Sequence, residues 1–133
     1  MRIRCIGAVA LAVSFAVVLA GCLTRTAGPA EPTGTVRGTV LAGPTCPVET
    51  EGGTGCDPMP VQGDVQFWDG RSKVGDVTLA RDGTFTADVP LGTYTVRVVP
   101  AGDSGFPVCR DSQVTVVATG TPPLSLECDT GIR

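Results

Sequence analysis

From residue 35 onward, apolar and polar side chains alternate over short stretches, and this period of two most constrains the fold. In residues 61–68, VQGDVQFW, the apolar positions Val61, Val65 and Phe67 fall on one side of an extended chain. Successive side chains of a β-strand point to opposite faces, so the alternation predicts a half-buried strand. No stretch of ten residues after residue 22 shows helical periodicity. The chain is therefore expected to be all-β.

Seven short segments show this alternation, and turn residues separate them. The expected strands are residues 35–42, 61–68, 74–80, 84–89, 93–99, 113–118 and 124–128. Asp82-Gly83 predicts a hairpin between the third and fourth segments, and residues 119–123, TGTPP, predict another between the last two. Seven short strands at this spacing are typical of a β-sandwich made of two antiparallel sheets, as in immunoglobulin-like domains.

The first 22 residues differ in composition from the rest of the chain. Arg2 and Arg4 precede an apolar run, and small residues lead up to Cys22. This order is typical of a secretory signal peptide, and the run is shorter than the roughly 20 apolar residues that a membrane span needs. Residues 1–21 are therefore expected to be removed and to take no part in the fold.

The sequence Leu19-Ala20-Gly21-Cys22 resembles the lipobox of bacterial lipoproteins, in which the cysteine sulfur receives a diacylglycerol and the chain is cut just before it. The resemblance implies a mature chain that begins at an acylated Cys22, carrying diacylglycerol and fatty acid such as palmitate. Two or more acyl chains hold a protein stably at a membrane. The expected location is a cell membrane, on its extracytoplasmic side. The alternative is an ordinary signal peptide that ends at a cysteine by chance.

A flexible tether is expected between the lipid and the folded domain. Residues 23–34, LTRTAGPAEPTG, contain two prolines and two glycines and show no apolar periodicity. The expected organisation is therefore a signal peptide at 1–21, a lipid-anchored tether at 22–34 and one β-sandwich domain at 35–133.

Four cysteines fall inside the expected domain, at positions Cys46, Cys56, Cys109 and Cys128. An even set in an exported chain indicates disulfides. Four cysteines allow three pairings, and proximity along the chain favours Cys46 with Cys56 and Cys109 with Cys128. Counting the register of the expected last hairpin also brings Cys109 near Cys128. A zinc site is the alternative, which the absence of a C-x-x-C pair disfavours.

The charge balance bears on the partners of the mature chain. Arg2 and Arg4 are two of ten basic residues, so loss of residues 1–21 leaves eight basic against thirteen acidic residues, a net charge of −5. Binding to nucleic acid needs a basic patch, so nucleic acid is not expected as a partner. The expected partners are membrane lipid, through Cys22, and a cell-envelope protein or glycan. The sequence does not determine the oligomeric state.

Several segments carry a resemblance to a domain family. They are VRGTV at 36–40, PVQGDV at 60–65, DGTF at 82–85 and PLGTYTV at 90–96. Their order resembles that of carboxypeptidase regulatory-like domains, which share a transthyretin-like sandwich, and the resemblance covers about residues 35–100. It implies a non-catalytic accessory, a surface spacer, or a carbohydrate-binding or protein-binding module. The matching residues mostly form turns and core, so the fold alone does not choose among these roles.

The chain contains no histidine, which removes the commonest general base and the commonest metal ligand. Asp69 and Asp82 lie next to glycines, and Asp57, Asp103 and Asp111 lie in short polar loops, where turn formation explains them. No D-x-[DN]-x-[DN]-G string of a calcium loop is present. We therefore expect a non-enzymatic protein with no cofactor and no metal site.

Trp68 is the best single candidate for recognition. By alternation it points away from the apolar face, on the same side as Gln66 and Asp64. An exposed indole beside polar groups can stack on a sugar ring or anchor a protein partner. The alternative is a structural role in which Trp68 packs under the 43–60 loop or against a neighbouring strand.

Overall fold

The computed structural model describes residues 28–47 and 56–132, and the regular structure in these ranges is all β-strand. The strands are β1 (Thr33–Gly43), β2 (Met59–Pro60), β3 (Gly63–Asp69), β4 (Ser72–Thr78), β5 (Thr84–Pro90), β6 (Gly92–Pro100), β7 (Val108–Cys109), β8 (Ser112–Val116) and β9 (Leu124–Asp129). The seven expected strands are confirmed, each within about two residues of its predicted bounds. The structure also contains the two-residue strands β2 and β7, which the sequence did not predict.

These strands form two sheets packed face to face, so the predicted β-sandwich is confirmed. The five-stranded sheet has the order β2-β1-β9-β7, with β5 also pairing with β1. The four-stranded sheet has the order β4-β3-β6-β8. One pair departs from the expected antiparallel pattern, because β1 and β9 run parallel from Gly38 opposite Leu124 to Gly43 opposite Asp129.

The core lies between the two sheets and is built from the alternating apolar positions of the strands. Side chains that are less than 2 % exposed are Phe67, Val36, Val40, Val65, Val89, Val96 and Val116. β1 runs through the middle of its sheet with β5 on one side and β9 on the other. At Gly38 a Cβ atom would lie 2.7 Å from the Phe85 ring and 2.7 Å from the Leu124 carbonyl oxygen. Only glycine leaves room for these close approaches.

The predicted hairpin between β4 and β5 is wrong. β4 pairs with β3 in the four-stranded sheet, whereas β5 pairs with β1 in the other sheet. The Asp82-Gly83 turn is present, with the Gly83 amide donating to the Ala80 carbonyl at 2.9 Å, but it carries the chain from one sheet to the other. β4 and β5 lie in opposite sheets, and their inward sides face each other across the sandwich. Leu79, which follows β4, and Phe85 of β5 are therefore buried in the same core.

Asp82 stabilises this crossover turn. Its Oδ1 accepts hydrogen bonds from the Thr84 hydroxyl at 2.6 Å and from the Thr84 amide at 3.0 Å. These bonds to the Thr84 side chain and backbone hold the pKa of the exposed Asp82 carboxyl below its usual value. A lowered pKa in the folded state means that the charged carboxylate stabilises the turn at neutral pH. This contribution is lost as the pH falls below about 4 and through the folded-state pKa.

The predicted hairpin between β8 and β9 is also wrong. β8 pairs with β6, so Gln113 lies opposite Thr95 and not opposite Cys128. The connecting residues 117–123 include Pro122 and Pro123, which have no amide to donate to a ladder. Because β8 belongs to the four-stranded sheet and β9 to the five-stranded sheet, this connection crosses from one sheet to the other.

Both predicted disulfide pairings are confirmed, although the hairpin used to support one of them is absent. Cys46 is bonded to Cys56, and Cys109 to Cys128. The second pair forms because β7 lies antiparallel to β9, with Cys109 directly opposite Cys128. The strand β7 is too short to show alternation. It supplies the pairing with β9 that was predicted for β8.

Candidate functional site

The outward face of the four-stranded sheet carries the predicted recognition residues. Asp64, Gln66 and Trp68 alternate along β3 with the buried Val65 and Phe67, so all three point away from the core. Their side chains are half-buried. The three side chains therefore lie on the outward face, as the alternation predicts. The contacts of each side chain determine whether this face is free to bind a ligand.

Trp68 makes a hydrogen bond through its indole nitrogen and a cation–π contact on its ring face. Its Nε1 donates a hydrogen bond to Gln66 Oε1 at 3.0 Å. The guanidinium carbon of Arg97, on the neighbouring strand β6, lies 5.4 Å from the indole centroid. A guanidinium over an indole is a favourable cation–π arrangement. Arg97 stands opposite Gln66 in the β3–β6 register, so the three side chains form one cluster.

Asp111 fixes the guanidinium that covers the indole. The Arg97 Nε and one terminal nitrogen donate to the two Asp111 carboxylate oxygens at 3.3 and 3.0 Å. This bidentate ion pair raises the pKa of Arg97, first through the hydrogen bonds and then through the charge of Asp111. A chain of contacts thus runs from Asp111 through Arg97 and Trp68 to Gln66.

Asp64 does not belong to this cluster. Its Oδ1 accepts a hydrogen bond from the Thr78 hydroxyl of β4 at 2.7 Å. It lies four residues before Trp68 on β3, a distance of about 13 Å along a strand. The structure therefore brings together Trp68 and Gln66 from the predicted set and places Asp64 apart from them.

The arrangement favours a structural role for Trp68 on this face. One ring face is covered by Arg97, and the indole nitrogen is bonded within β3. Sugar binding by Trp68, Gln66 and Asp64 has no observation in its favour and stays a prediction. The sequence did not identify Arg97 and Asp111, because their position beside Trp68 depends on the register between strands.

Replacing Arg97 with alanine is expected to expose the indole of Trp68. The emission maximum of Trp68, the only tryptophan, should shift to longer wavelength, and iodide should quench it more strongly, because water replaces the guanidinium. Tryptophan emission spectra of both proteins measure this. Arg37→Ala is the matched control, since Arg37 lies on β1 in the other sheet. Unchanged emission in the Arg97 variant would contradict the stacking described above.

One end of the sandwich, which we call the disulfide end, holds both disulfides and an apolar groove. In the register, Ala42 of β1 lies opposite Cys128, and Cys109 lies beside it. The groove has a volume of about 310 Å³ and is lined mainly by Met59, Pro60, Pro100, Phe106 and Pro107. Met59 is 60 % exposed and Phe106 is 54 % exposed. Sequence reasoning missed this groove, since apolar residues beside prolines in loops follow no period.

A second, larger cleft lies on the outward face of the five-stranded sheet at the same end. Its volume is about 570 Å³, and its lining includes Leu41, Val108, Arg110 and Glu127. The residues described by the structure contain no group of three or more acidic or cysteine side chains placed to hold a metal ion. The expectation of no metal and no cofactor remains a prediction.

Cys22 and the tether up to Ala27 lie outside the described residues, as do the signal peptide and residues 48–55. No helix long and apolar enough to cross a bilayer occurs within residues 28–47 and 56–132. The lipidation of Cys22 and the domain boundaries therefore stay predictions.

No family model matches the sequence, and no curated protein matches it. Solved structures do match the fold. A minor pilin of the Gram-positive pathogen Streptococcus agalactiae superimposes with a TM-score of 0.55 at 14% identity, covering 75% of this chain and 45% of the pilin. The shaft pilin SpaA of Lactobacillus rhamnosus GG gives a TM-score of 0.53 at 14% identity, covering 74% of this chain and 52% of that pilin.

The chain thus spans about half the length of each of these pilins. At such low identity the likeness shows the fold alone, a β-sandwich also found in pilins. The resemblance to carboxypeptidase regulatory-like domains stays a prediction about family, while the sandwich that it implied is present.

Proposed function

We propose that this protein is a non-enzymatic surface module, structural or interacting, that a lipid on Cys22 holds at the extracytoplasmic side of a membrane. The observation that carries the proposal is the position of the two ends of β1. Thr33 lies opposite Pro90, and the Pro32 carbonyl accepts a hydrogen bond from the Leu91 amide at 3.0 Å. The chain therefore enters the domain at the end opposite the two disulfides.

The length of β1 sets the distance between these ends. Its 11 residues separate the entry point from the disulfide end by about 35 Å. An anchor at Cys22 would lie at most about 40 Å of extended chain before Thr33. The disulfide end, with its apolar groove and cleft, would then face away from the membrane.

The carboxylates of the domain support binding or scaffolding over catalysis. Asp82 caps a turn, Asp88 accepts a hydrogen bond from the Thr35 hydroxyl at 2.7 Å, and Asp76 pairs with Lys73 at 3.1 Å. Asp64 and Asp111 also have partners on neighbouring strands or loops. Each of these acids has a hydrogen-bond or ion-pair partner within the domain, which accounts for its position without a catalytic role.

The structural neighbours also support this proposal. One is a minor pilin and another a shaft pilin. Their shared sandwich supports a structural or interaction role for this domain rather than a catalytic one.

Cys22→Ser is expected to abolish acylation and to leave the unlipidated precursor, with residues 1–21 still attached. The reason is that serine offers no sulfur for the thioether to the diacylglycerol. Fractionation of a bacterial host that expresses the full chain, followed by intact mass measurement, tests this. The wild-type protein should carry a diacylglyceryl group on an N-terminal Cys22.

Cys5→Ser is the matched control, because it removes the other cysteine of the leader and should leave both location and mass of the mature protein unchanged. A Cys22 variant that is cut before residue 22 and acylated like the wild-type protein would contradict the anchor. A soluble mature protein with an N-terminus other than Cys22 would contradict it as well.

A further inference from the structure

The strand β8 is an open edge of the four-stranded sheet. It pairs with β6 on one side, from Thr95 opposite Gln113 to Gly92 opposite Val116, and it is the last strand in the sheet order. Beyond Val116 the chain turns toward β1, where a Cβ atom on Gly34 would lie 2.7 Å from the Val117 carbonyl oxygen. The open edge therefore extends from Ser112 to about Thr115. Its outer backbone amide and carbonyl groups have no strand beside them among the described residues.

β8 carries none of the charged side chains, prolines and bulges that usually protect an edge strand. Residues 112–118, SQVTVVA, contain no charge and no proline.

The other edges within the described ranges are protected. β4 carries the Lys73–Asp76 ion pair, and its pairing with β3 is interrupted by a bulge next to Phe67. β5 carries Asp88 and ends in Pro90. β2 and β7 are only two residues long, and the stretch of β9 that β7 leaves open includes Glu127.

We propose that β8 pairs with β8 of a second copy of this chain, antiparallel and about a twofold axis at Val114. A twofold axis sets the edge strand against an identical strand, so a charged edge would repel itself, and β8 carries no charge. In this register Gln113 lies opposite Thr115 of the second copy. The two four-stranded sheets become one continuous eight-stranded sheet.

The outward face of β8 already shows the contact type that the pairing would extend. The Thr93 and Thr115 hydroxyls lie 3.1 Å apart on adjacent strands. Gln113 is exposed, so its amide is available to bond to the hydroxyl of Thr115 on the second copy. On the inner face, the buried Val114 of one copy would meet Val114 of the other at the margin of both cores. The contact is short, so the dimer should be weak and concentration-dependent.

Sedimentation velocity of the full chain in a density-matched detergent, across a dilution series, tests this inference. The wild-type protein should shift from monomer to dimer with concentration. The variant Gln113→Lys/Thr115→Lys should bind itself roughly tenfold or more weakly, because four lysines would meet at the axis. The variant Gln113→Glu/Thr115→Glu should weaken in the same way. An equimolar mixture of the two variants should restore the dimer, because lysine then faces glutamate.

Ser125→Lys is the matched control. Ser125 is exposed on β9, which is a partly open edge of the five-stranded sheet, so this substitution should leave the dimer unchanged. Hydrogen exchange gives a second measurement, as those amides of residues 112–115 that point away from β6 should become more protected with rising concentration in the wild-type protein only. A wild-type protein that stays monomeric would overturn the inference. A dimer that survives both charged variants, that is lost with Ser125→Lys, or that the mixture fails to restore would also overturn it. None of these measurements depends on the lipid anchor.

Discussion

Replacing Phe67 with alanine is expected to destabilise the domain by about 3–5 kcal/mol, which is a large part of the stability of a small domain. Phe67 is fully buried, and its ring lies 6.5 Å from that of Phe85 at a tilt of 59°. It lies on β3 in one sheet and Phe85 on β5 in the other, so the pair joins the two layers. The alanine variant loses the buried ring and leaves a cavity that the rigid sheets can close only in part.

Urea unfolding followed by far-ultraviolet circular dichroism measures this loss. The signal of Trp68 is less suitable, because Trp68 is adjacent to the substituted residue. Phe106→Ala is the matched control, since Phe106 is 54 % exposed in a loop at the disulfide end and its removal should cost about 1 kcal/mol or less. Equal losses from the two substitutions would contradict a core centred on Phe67.

Removal of the Cys109–Cys128 disulfide is expected to produce the second large effect. The bond closes a separation of 19 residues, for which the loop-entropy estimate is about 3 kcal/mol. Cys128 is also buried, so Cys109→Ala/Cys128→Ala removes core volume as well as the crosslink. The two-residue strand β7 has little else to hold it against β9. We therefore expect loss of stability together with release of residues 101–111.

The double variant Cys46→Ala/Cys56→Ala provides the comparison. That bond closes a separation of only 10 residues, so the entropy estimate is about 0.5 kcal/mol smaller, and both of its cysteines lie outside the buried core. Urea unfolding of both double variants gives the two losses. A larger loss from the Cys46 and Cys56 pair would show that the loop, rather than the β7–β9 contact, limits stability.

Much of the fold follows from local pattern. Alternation located seven strands and assigned the inward residues of β3 correctly, because the direction of a side chain in a strand depends only on its parity. Spacing along the chain also gave both disulfide pairs. The two-residue strands β2 and β7 were not visible, since two residues are too few to show a period.

The candidate site was predicted only in part. Alternation placed Trp68 and Gln66 on one outward face, and the structure bonds them to each other. The guanidinium over the indole comes from Arg97 on β6 and is fixed by Asp111 in the β7–β8 connection. Neither contact has a local signature, because each requires the register between segments that lie far apart in sequence.

The sequence by itself determined where the strands lie, which faces of them are buried and which cysteines pair. Only the tertiary structure decided which strands share a sheet. A strand with one apolar face can bury that face equally well from either side of a sandwich, so alternation does not distinguish a hairpin from a crossover. The choice rests on the summed contacts of the whole core, with β5 taking one side of β1, β9 the other, and β8 left at an open edge of the opposite sheet.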